Sequence, residues 1–177
     1  SILERRQKFM ELINKYEIPV IEDNPYGELR FEGEFLPSLK SMDTKDLVIF
    51  LGTMSKIFAP GLRIGWVCST NAEVLGKYNF IKQGADLQSS TIDQLITNQS
   101  WRITIWMHTL KRSSSYVKRR DAMLKTMEET FPKEVKFTHP EGCLFTWCVL
   151  PEYMDAKVIA PQCLEKNVAY VPAAASS

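Results

Sequence analysis

The amino-acid sequence predicts an α/β protein in which short buried strands alternate with amphipathic helices. Three observations support this fold class. The chain has 177 residues, 45% hydrophobic and 24% charged, with a formal net charge of +1, as in an ordinary folded protein. Two apolar runs of strand length, 18–23 and 47–51, each end at a turn or at glycine. Segments with helical spacing precede and follow them.

The first half of the chain is predicted to contain two helices and three strands. Ser1 to Glu4 has the pattern of a capping box, and the helix that it opens ends near Tyr16. Its predicted apolar face consists of Ile2, Phe9, Leu12, Ile13 and Tyr16. Buried strands are expected over 18–23 and 47–51, and a third strand over 62–68. The second helix runs from 71 to 82, with Asn71 as its N-cap.

The second half is predicted to begin with a long helical region from Thr91 to about Phe131, with breaks or kinks at the polar groups 89–90, 98–100 and 113–115. Two strands over 135–138 and 144–149 then form a hairpin-like unit. A helix over 155–167, which contains Pro161, precedes a last strand over 168–171. We place a domain boundary near residue 110, between an α/β part (1–110) and a smaller α+β part (111–177).

Composition excludes several other classes of protein. A nearly neutral chain supplies no strong positive field for nucleic acid, and no apolar run reaches the length of a membrane span. The first residues show no signal-peptide pattern, so a cytoplasmic location is expected. The four cysteines have irregular spacing, which predicts buried, reduced thiols and neither a metal site nor a disulfide framework.

Polar residues that suit chemistry follow the predicted strands. Asp23 ends the first strand, and Lys56 lies just beyond the second, next to the hydroxyl-bearing Thr53 and Ser55; Arg63 follows seven residues later. In open α/β sheets, ligands bind at the carboxyl ends of strands, where Asp23 and Lys56 belong. From spacing alone, a simple ion pair between Asp23 and Lys56 is an equally good interpretation.

Two long motifs resolve this ambiguity. The segments 22–31 (EDNPYGELRF) and 51–66 (LGTMSKIFAPGLRIGW) closely resemble the class I/II aminotransferases, which are pyridoxal-phosphate (PLP) enzymes of fold type I. The branch that includes 2-aminoadipate and multisubstrate 2-oxoglutarate-dependent transaminases is the most similar. The resemblance continues through 116–124 and 140–142. It implies that 1–110 is the later half of a large, mainly parallel cofactor-binding domain and that 111–177 is an incomplete small C-terminal domain.

The resemblance also implies a role for each site residue. Asp23 holds a proton on the ring nitrogen of PLP, and Tyr26 donates to the phenolic oxygen of the ring. Lys56 is the covalent anchor and then the general base and acid. The phosphate is expected to bind Thr53, Ser55 and Arg63.

The chain also departs from the family pattern. Family members are more than twice this length, and the chain lacks their ring-contacting asparagine, glycine-rich phosphate loop, ring-stacking aromatic residue and carboxylate-binding arginine. We therefore expect a piece of a longer protein that is at most weakly active alone. Cys143 stands where the family usually has a second glycine after Gly142, which puts a positive φ at that position in doubt.

The function expected for the parent protein is transamination between an amino acid and a 2-oxo acid, with 2-oxoglutarate as the acceptor. A homodimer is expected, with neither nucleic acid nor membrane as a partner. One alternative is the PLP-sensing domain of a winged-helix transcriptional regulator, and another is a PLP lyase or synthase on the same fold. A non-catalytic descendant is disfavoured because it has no physical reason to retain Lys56, Asp23, Tyr26 and Arg63 together.

Overall fold

The computed structural model describes residues 2–103 and 105–173, without the side chains of 103–114. It divides into two compact units, one formed by Ser1–Val117 with Glu141–Leu144 and the other by Lys118–Pro140 with Phe145–Ser177. The predicted assignment of 1–110 and 111–177 to two domains of a larger enzyme stays a prediction. The elements in chain order are α1 (Ile2–Tyr16), β1 (Val20–Asp23), β2 (Val48–Thr53), β3 (Gly65–Cys68), α2 (Ala72–Ala85), α3 (Thr91–Ile103), α4 (Ile105–Thr130), β4 (Lys136–Phe137), β5 (Cys148–Val149) and α5 (Ala156–Glu165).

The sheet of the first unit has the order β1-β2-β3. Strands β1 and β2 are parallel, and β3 is antiparallel to β2. Helix α1 covers one face, where Met10 and Ile13 pack against Val48. A second cluster is formed by Leu29, Met54 and Ile57, which belong to the loops that follow β1 and β2. The α/β class is therefore confirmed.

The ends of several elements agree with the sequence. Helix α1 ends at Tyr16, and the Asn71 side chain accepts a hydrogen bond of 3.1 Å from the Val74 amide at the start of α2. In the second unit, β4 and β5 pair as an antiparallel hairpin. Helix α5 begins at its Asp155 cap and passes through Pro161 without ending. The predicted capping box at Ser1 lies outside the described residues.

Other expectations for the helices and strands are wrong. Helix α1 buries Met10 and Ile13, whereas the other four residues of its predicted face (Ile2, Phe9, Leu12 and Tyr16) are exposed. Helix α3 continues through 98–100 and α4 through 113–115, where breaks were expected, whereas 89–90 lies just before the start of α3. Residues 168–171 form no strand, because no other described segment pairs with them. The cysteines are free, but Cys68 and Cys148 are exposed.

A short segment around Gly142 pairs with the loop after β1. The Cys143 amide donates to the Leu29 carbonyl at 2.7 Å, and Arg30 pairs with Glu141 at 2.5 Å. Cys143 has φ 71°, so the backbone retains the positive φ although the residue carries a Cβ. For a non-glycine residue this conformation costs about 1–2 kcal/mol, which the pairing on either side offsets.

We expect Gly142→Ala to lower the free energy of unfolding by about 1–3 kcal/mol, the usual range for overpacking. An added Cβ would lie 2.5 Å from the Leu29 carbonyl oxygen and 3.0 Å from the Arg30 Cα, and backbone atoms yield little. Denaturant unfolding measures the effect. The matched control is Gly76→Ala in α2, where nothing lies within 4 Å, and an equal loss there would contradict the explanation.

The start of β2 is held by the buried carboxylate of Asp43. It accepts from the Lys40 ammonium at 2.8 Å and from the amides of Lys45, Leu47 and Val48 at 2.9–3.2 Å. Burial by itself raises the pKa of Asp43. The hydrogen bonds from the Lys40 ammonium and from the Val48, Leu47 and Lys45 amides together outweigh this effect and lower the pKa to about 2.

Because the pKa of Asp43 is lower in the folded chain than its ordinary value of 3.8, its ionised form stabilises the fold above that pH. We expect about 2 kcal/mol of stability to be lost as the pH falls from about 4 through about 2. Urea unfolding of the wild type and of Asp43→Asn across this range tests the expectation. The variant should be less stable near neutral pH and less sensitive to acid; identical pH dependence of the two proteins would refute it.

Candidate active site

Two of the predicted site residues lie on the same face of the sheet. Asp23, the last residue of β1, pairs in register with Leu51 of β2. Side chains alternate along a strand, so Asp23, Leu51 and Thr53 point to one face, away from the face that α1 covers. The carboxylate and the threonine hydroxyl therefore share the carboxyl end of two parallel strands, where α/β sheets bind ligands.

The expectation that β1 is buried throughout is wrong. Glu22 is buried, whereas Ile21 and Asp23 are exposed. Among the described residues β1 pairs only with β2, and Ile21 and Asp23, on the face opposite α1, are both exposed. The Asp23 carboxylate is therefore open to a ligand.

Tyr26, in the loop after β1, and Lys56, in the loop after β2, lie close to each other. Tyr26 is half-buried against the Leu29 cluster, and its carbonyl accepts from the Leu29 amide at 2.9 Å. The exposed Lys56 ammonium lies 5.8 Å from the centroid of the Tyr26 ring. Asp23 and Lys56 form no ion pair with each other in the described structure, so the simple ion-pair interpretation fails.

A pair of hydroxyls precedes the lysine. The Thr53 hydroxyl accepts from the Ser55 amide at 3.1 Å, lies 3.1 Å from the Ser55 hydroxyl and donates to the Ile64 carbonyl at 3.2 Å. These bonds close the turn at the end of β2 and tie it to the residue before β3. The turn thus presents both hydroxyls next to Lys56.

The sequence predicted that Arg63 lies on a strand over 62–68. This is wrong, because β3 begins only at Gly65. Arg63 follows a 3₁₀ turn, Pro60–Leu62, and adopts the left-handed conformation with φ 54° and ψ 34°. Its guanidinium is exposed and donates to the Pro60 carbonyl at 3.1 Å. A non-glycine residue in this conformation is strained, and such residues concentrate at functional sites.

The donor set suits a phosphate-bearing aromatic aldehyde with a basic ring nitrogen. Ser55 offers a hydroxyl donor, and Thr53 offers a second one once its hydroxyl turns away from the Ile64 carbonyl. Arg63 offers a fork-shaped cation, and together these groups match a phosphate group. Lys56 is a primary amine that can condense with an aldehyde, and Asp23 is a carboxylate that can hold a proton on a ring nitrogen. The class of protein that this fold and donor set define is the PLP-dependent α/β enzymes.

The chain belongs to the aminotransferase class I and II family, whose family model matches residues 3–176. Aromatic-amino-acid aminotransferase 1 of Thermococcus litoralis is 43% identical to it over 172 residues, which are 95% of this chain and 40% of the relative. The 2-aminoadipate transaminase of Thermus thermophilus is 32% identical over 96% of this chain and 43% of the relative. The predicted family and branch are confirmed.

Solved structures of the family agree with the fold. The multiple substrate aminotransferase of Thermococcus profundus superposes with a TM-score of 0.90 at 42% identity, over 96% of this chain and 42% of that one. The kynurenine aminotransferase of Pyrococcus horikoshii, solved in complex with PMP, gives the same TM-score at 39% identity and the same coverage. Cofactor complexes among the relatives confirm PLP as the predicted cofactor of this family.

The chain spans about 40% of the length of the curated relatives that it matches. A helix-turn-helix transcriptional regulator of Escherichia coli, itself uncharacterized, is 29% identical over 96% of this chain and 36% of its own length. None of the described helices is both long and apolar enough to span a membrane. The described residues contain no group of three metal-ligating side chains suited to a metal ion.

Sequence reasoning overlooked Glu22. Its carboxylate is buried and accepts from the amides of Leu39 and Lys40, 17 and 18 residues away. The available signal was the period of the strand: Glu22 is in phase with Val20, so it had to share the face covered by α1. A buried acid in that position needs strong partners, and the chain supplies them.

Proposed function

We propose that the protein containing this chain is a PLP-dependent transaminase that transfers an amino group between an amino acid and a 2-oxo acid. The observation that supports the proposal most directly is the distance of 5.8 Å between the Lys56 ammonium and the centroid of the Tyr26 ring, since these residues follow two parallel strands. The family match and the relatives named as aminotransferases support it.

When bound, PLP supplies an electron sink that stabilises negative charge next to an amino group. The Asp23 carboxylate would hold a proton on the ring nitrogen, and Tyr26 would donate to the ring oxygen. Thr53, Ser55 and Arg63 would bind the phosphate. The Lys56 Nζ would anchor the cofactor through its aldehyde and would also take up a proton from the substrate Cα.

Chemical trapping tests the assignment of the anchor. The full-length protein that contains this chain is incubated with PLP, reduced with borohydride, digested and analysed by mass spectrometry. We expect the phosphopyridoxyl group on the peptide that contains Lys56. An adduct on another lysine, or no adduct, would contradict the proposal.

The finer parts of the proposal follow from the resemblance alone. They are 2-oxoglutarate as the amino acceptor, a homodimer, a cytoplasmic location and the absence of a nucleic-acid partner. A panel of amino donors with 2-oxoglutarate, read as glutamate formation, tests the acceptor. Light scattering of the full chain tests the dimer.

A PLP-sensing regulator is the second candidate, because regulators are among the relatives. Both candidates bind PLP at Lys56, so trapping does not separate them. Turnover does: a transaminase releases a 2-oxo acid from the amino donor and reforms the starting cofactor with an acceptor. Binding of PLP without such turnover, together with specific DNA binding by the full-length protein, would favour the regulator.

A further inference from the structure

Glu22 is a buried charged group for which the proposed reaction has no direct use. Its side chain is 8% exposed. One carboxylate oxygen accepts from the Leu39 amide and the other from the Lys40 amide, both at 2.9 Å. Hydrogen bonds to an ionised acceptor are among the stronger ones in proteins, and a buried carboxylate is retained only with such partners.

Three elements meet at this carboxylate. Arg6 of α1 lies 3.4 Å from Glu22 and also donates to the Pro37 carbonyl at 2.8 Å. The guanidinium thus bridges α1 to the segment that leads into the turn at Leu39 and Lys40. Glu22 itself belongs to β1, so hydrogen bonds to its charged carboxylate fix the end of β1 both to α1 and to the turn at Leu39 and Lys40.

The next residue along β1 is Asp23, which points to the opposite face of the sheet. Since the peptide unit between them is planar, rotation of the Glu22 side of the strand also rotates the Asp23 side. We propose that Glu22 is a positioning residue, which clamps the end of β1 to the turn at Leu39 and Lys40 and thereby aims the Asp23 carboxylate at the ring nitrogen of PLP. This inference rests on the proposed function.

The test compares Glu22→Gln and Glu22→Ala with wild type in the full-length protein that contains this chain. Glutamine keeps one acceptor oxygen but turns an NH₂ donor toward the second amide, so it breaks one of the two bonds. The control is Glu11→Ala, an exposed glutamate of α1. Two signals are read after PLP is added: the visible band of lysine-bound cofactor, and the ¹⁵N NMR signal of ring-labelled PLP, which reports protonation of the ring nitrogen.

We expect both Glu22 variants to keep the lysine-bound band while at least half of the protonated-ring signal is lost in Glu22→Ala and a smaller share in Glu22→Gln. The Glu11 control should match wild type. If Glu22→Ala does not fold, Glu22→Gln alone decides. Unchanged ring protonation in a folded Glu22 variant overturns the inference, as does parallel loss of the band and the ring signal, which indicates a purely structural role. Absence of the band from wild type itself would overturn the proposed function and, with it, this inference.

Discussion

In the full-length protein that contains this chain, replacement of Lys56 by alanine is expected to abolish covalent attachment of PLP and to lower kcat/KM for transamination at least about a thousandfold. The amine has two tasks, anchoring the cofactor and carrying a proton, and the alanine side chain can do neither. The structure gives Lys56 no ion pair to lose and leaves it exposed, so the variant should retain its fold.

The control for Lys56 is Lys77→Ala. Lys77 is an exposed lysine of α2 whose partner is Glu73, one turn away, and surface pairs of this kind contribute little. The Lys77→Ala variant should have wild-type activity and the wild-type visible band of lysine-bound PLP. Survival of the lysine-bound band in Lys56→Ala would refute the assignment, and an equal defect in both variants would point to damage of the fold.

Replacement of Asp23 by asparagine is the second large effect that we expect, with a loss of at least about a hundredfold in kcat/KM. Asparagine has nearly the same shape but no charge, so it does not hold the proton on the ring nitrogen, and the cofactor withdraws electrons less effectively. Lys56 should still attach PLP, because the substitution leaves the amine unchanged. The visible band should therefore persist while turnover falls.

An exposed aspartate elsewhere provides the comparison for this variant. Asp86 at the end of α2 pairs with Lys82 at 2.8 Å and lies outside the proposed site. Asp86→Asn should leave kcat/KM unchanged. Wild-type turnover in Asp23→Asn would remove Asp23 from the proposed mechanism, whereas loss of the visible band would show that Asp23 is needed for binding itself.

Much of the fold could be predicted because its signals are local. The end of α1 at Tyr16, the Asn71 cap and the turn after Asp23 depend on residues within one helical turn of each other. The face that α1 buries was predicted wrongly, because helical spacing does not say which side meets the sheet; Met10 lies there and Leu12 does not. The last predicted strand failed for a related reason, since a strand requires a partner for its backbone hydrogen bonds.

The candidate site divides in the same way. The residue types around Asp23 and Lys56 could be identified because they form two contiguous motifs. The conformation of Arg63 could not, because a left-handed arginine is uncommon and depends on the 3₁₀ turn before it. Cys143 is similar: its side chain disfavours a positive φ, yet pairing of the segment with Leu29 imposes that conformation.

The sequence by itself determined the α/β class, the family resemblance and the order in which the chemically active residues follow the strands. Only the tertiary structure decided which of them share a face and what holds them there. The register of Asp23 against Leu51 places the carboxylate on the same face of the sheet as Thr53. The amides that bind Glu22 belong to the turn at Leu39 and Lys40, 17 and 18 residues along the chain. Local propensity acts over a few residues. Strand register and the partners of a buried carboxylate depend instead on hydrogen bonds between segments far apart in the chain, and these bonds form only when the chain has folded.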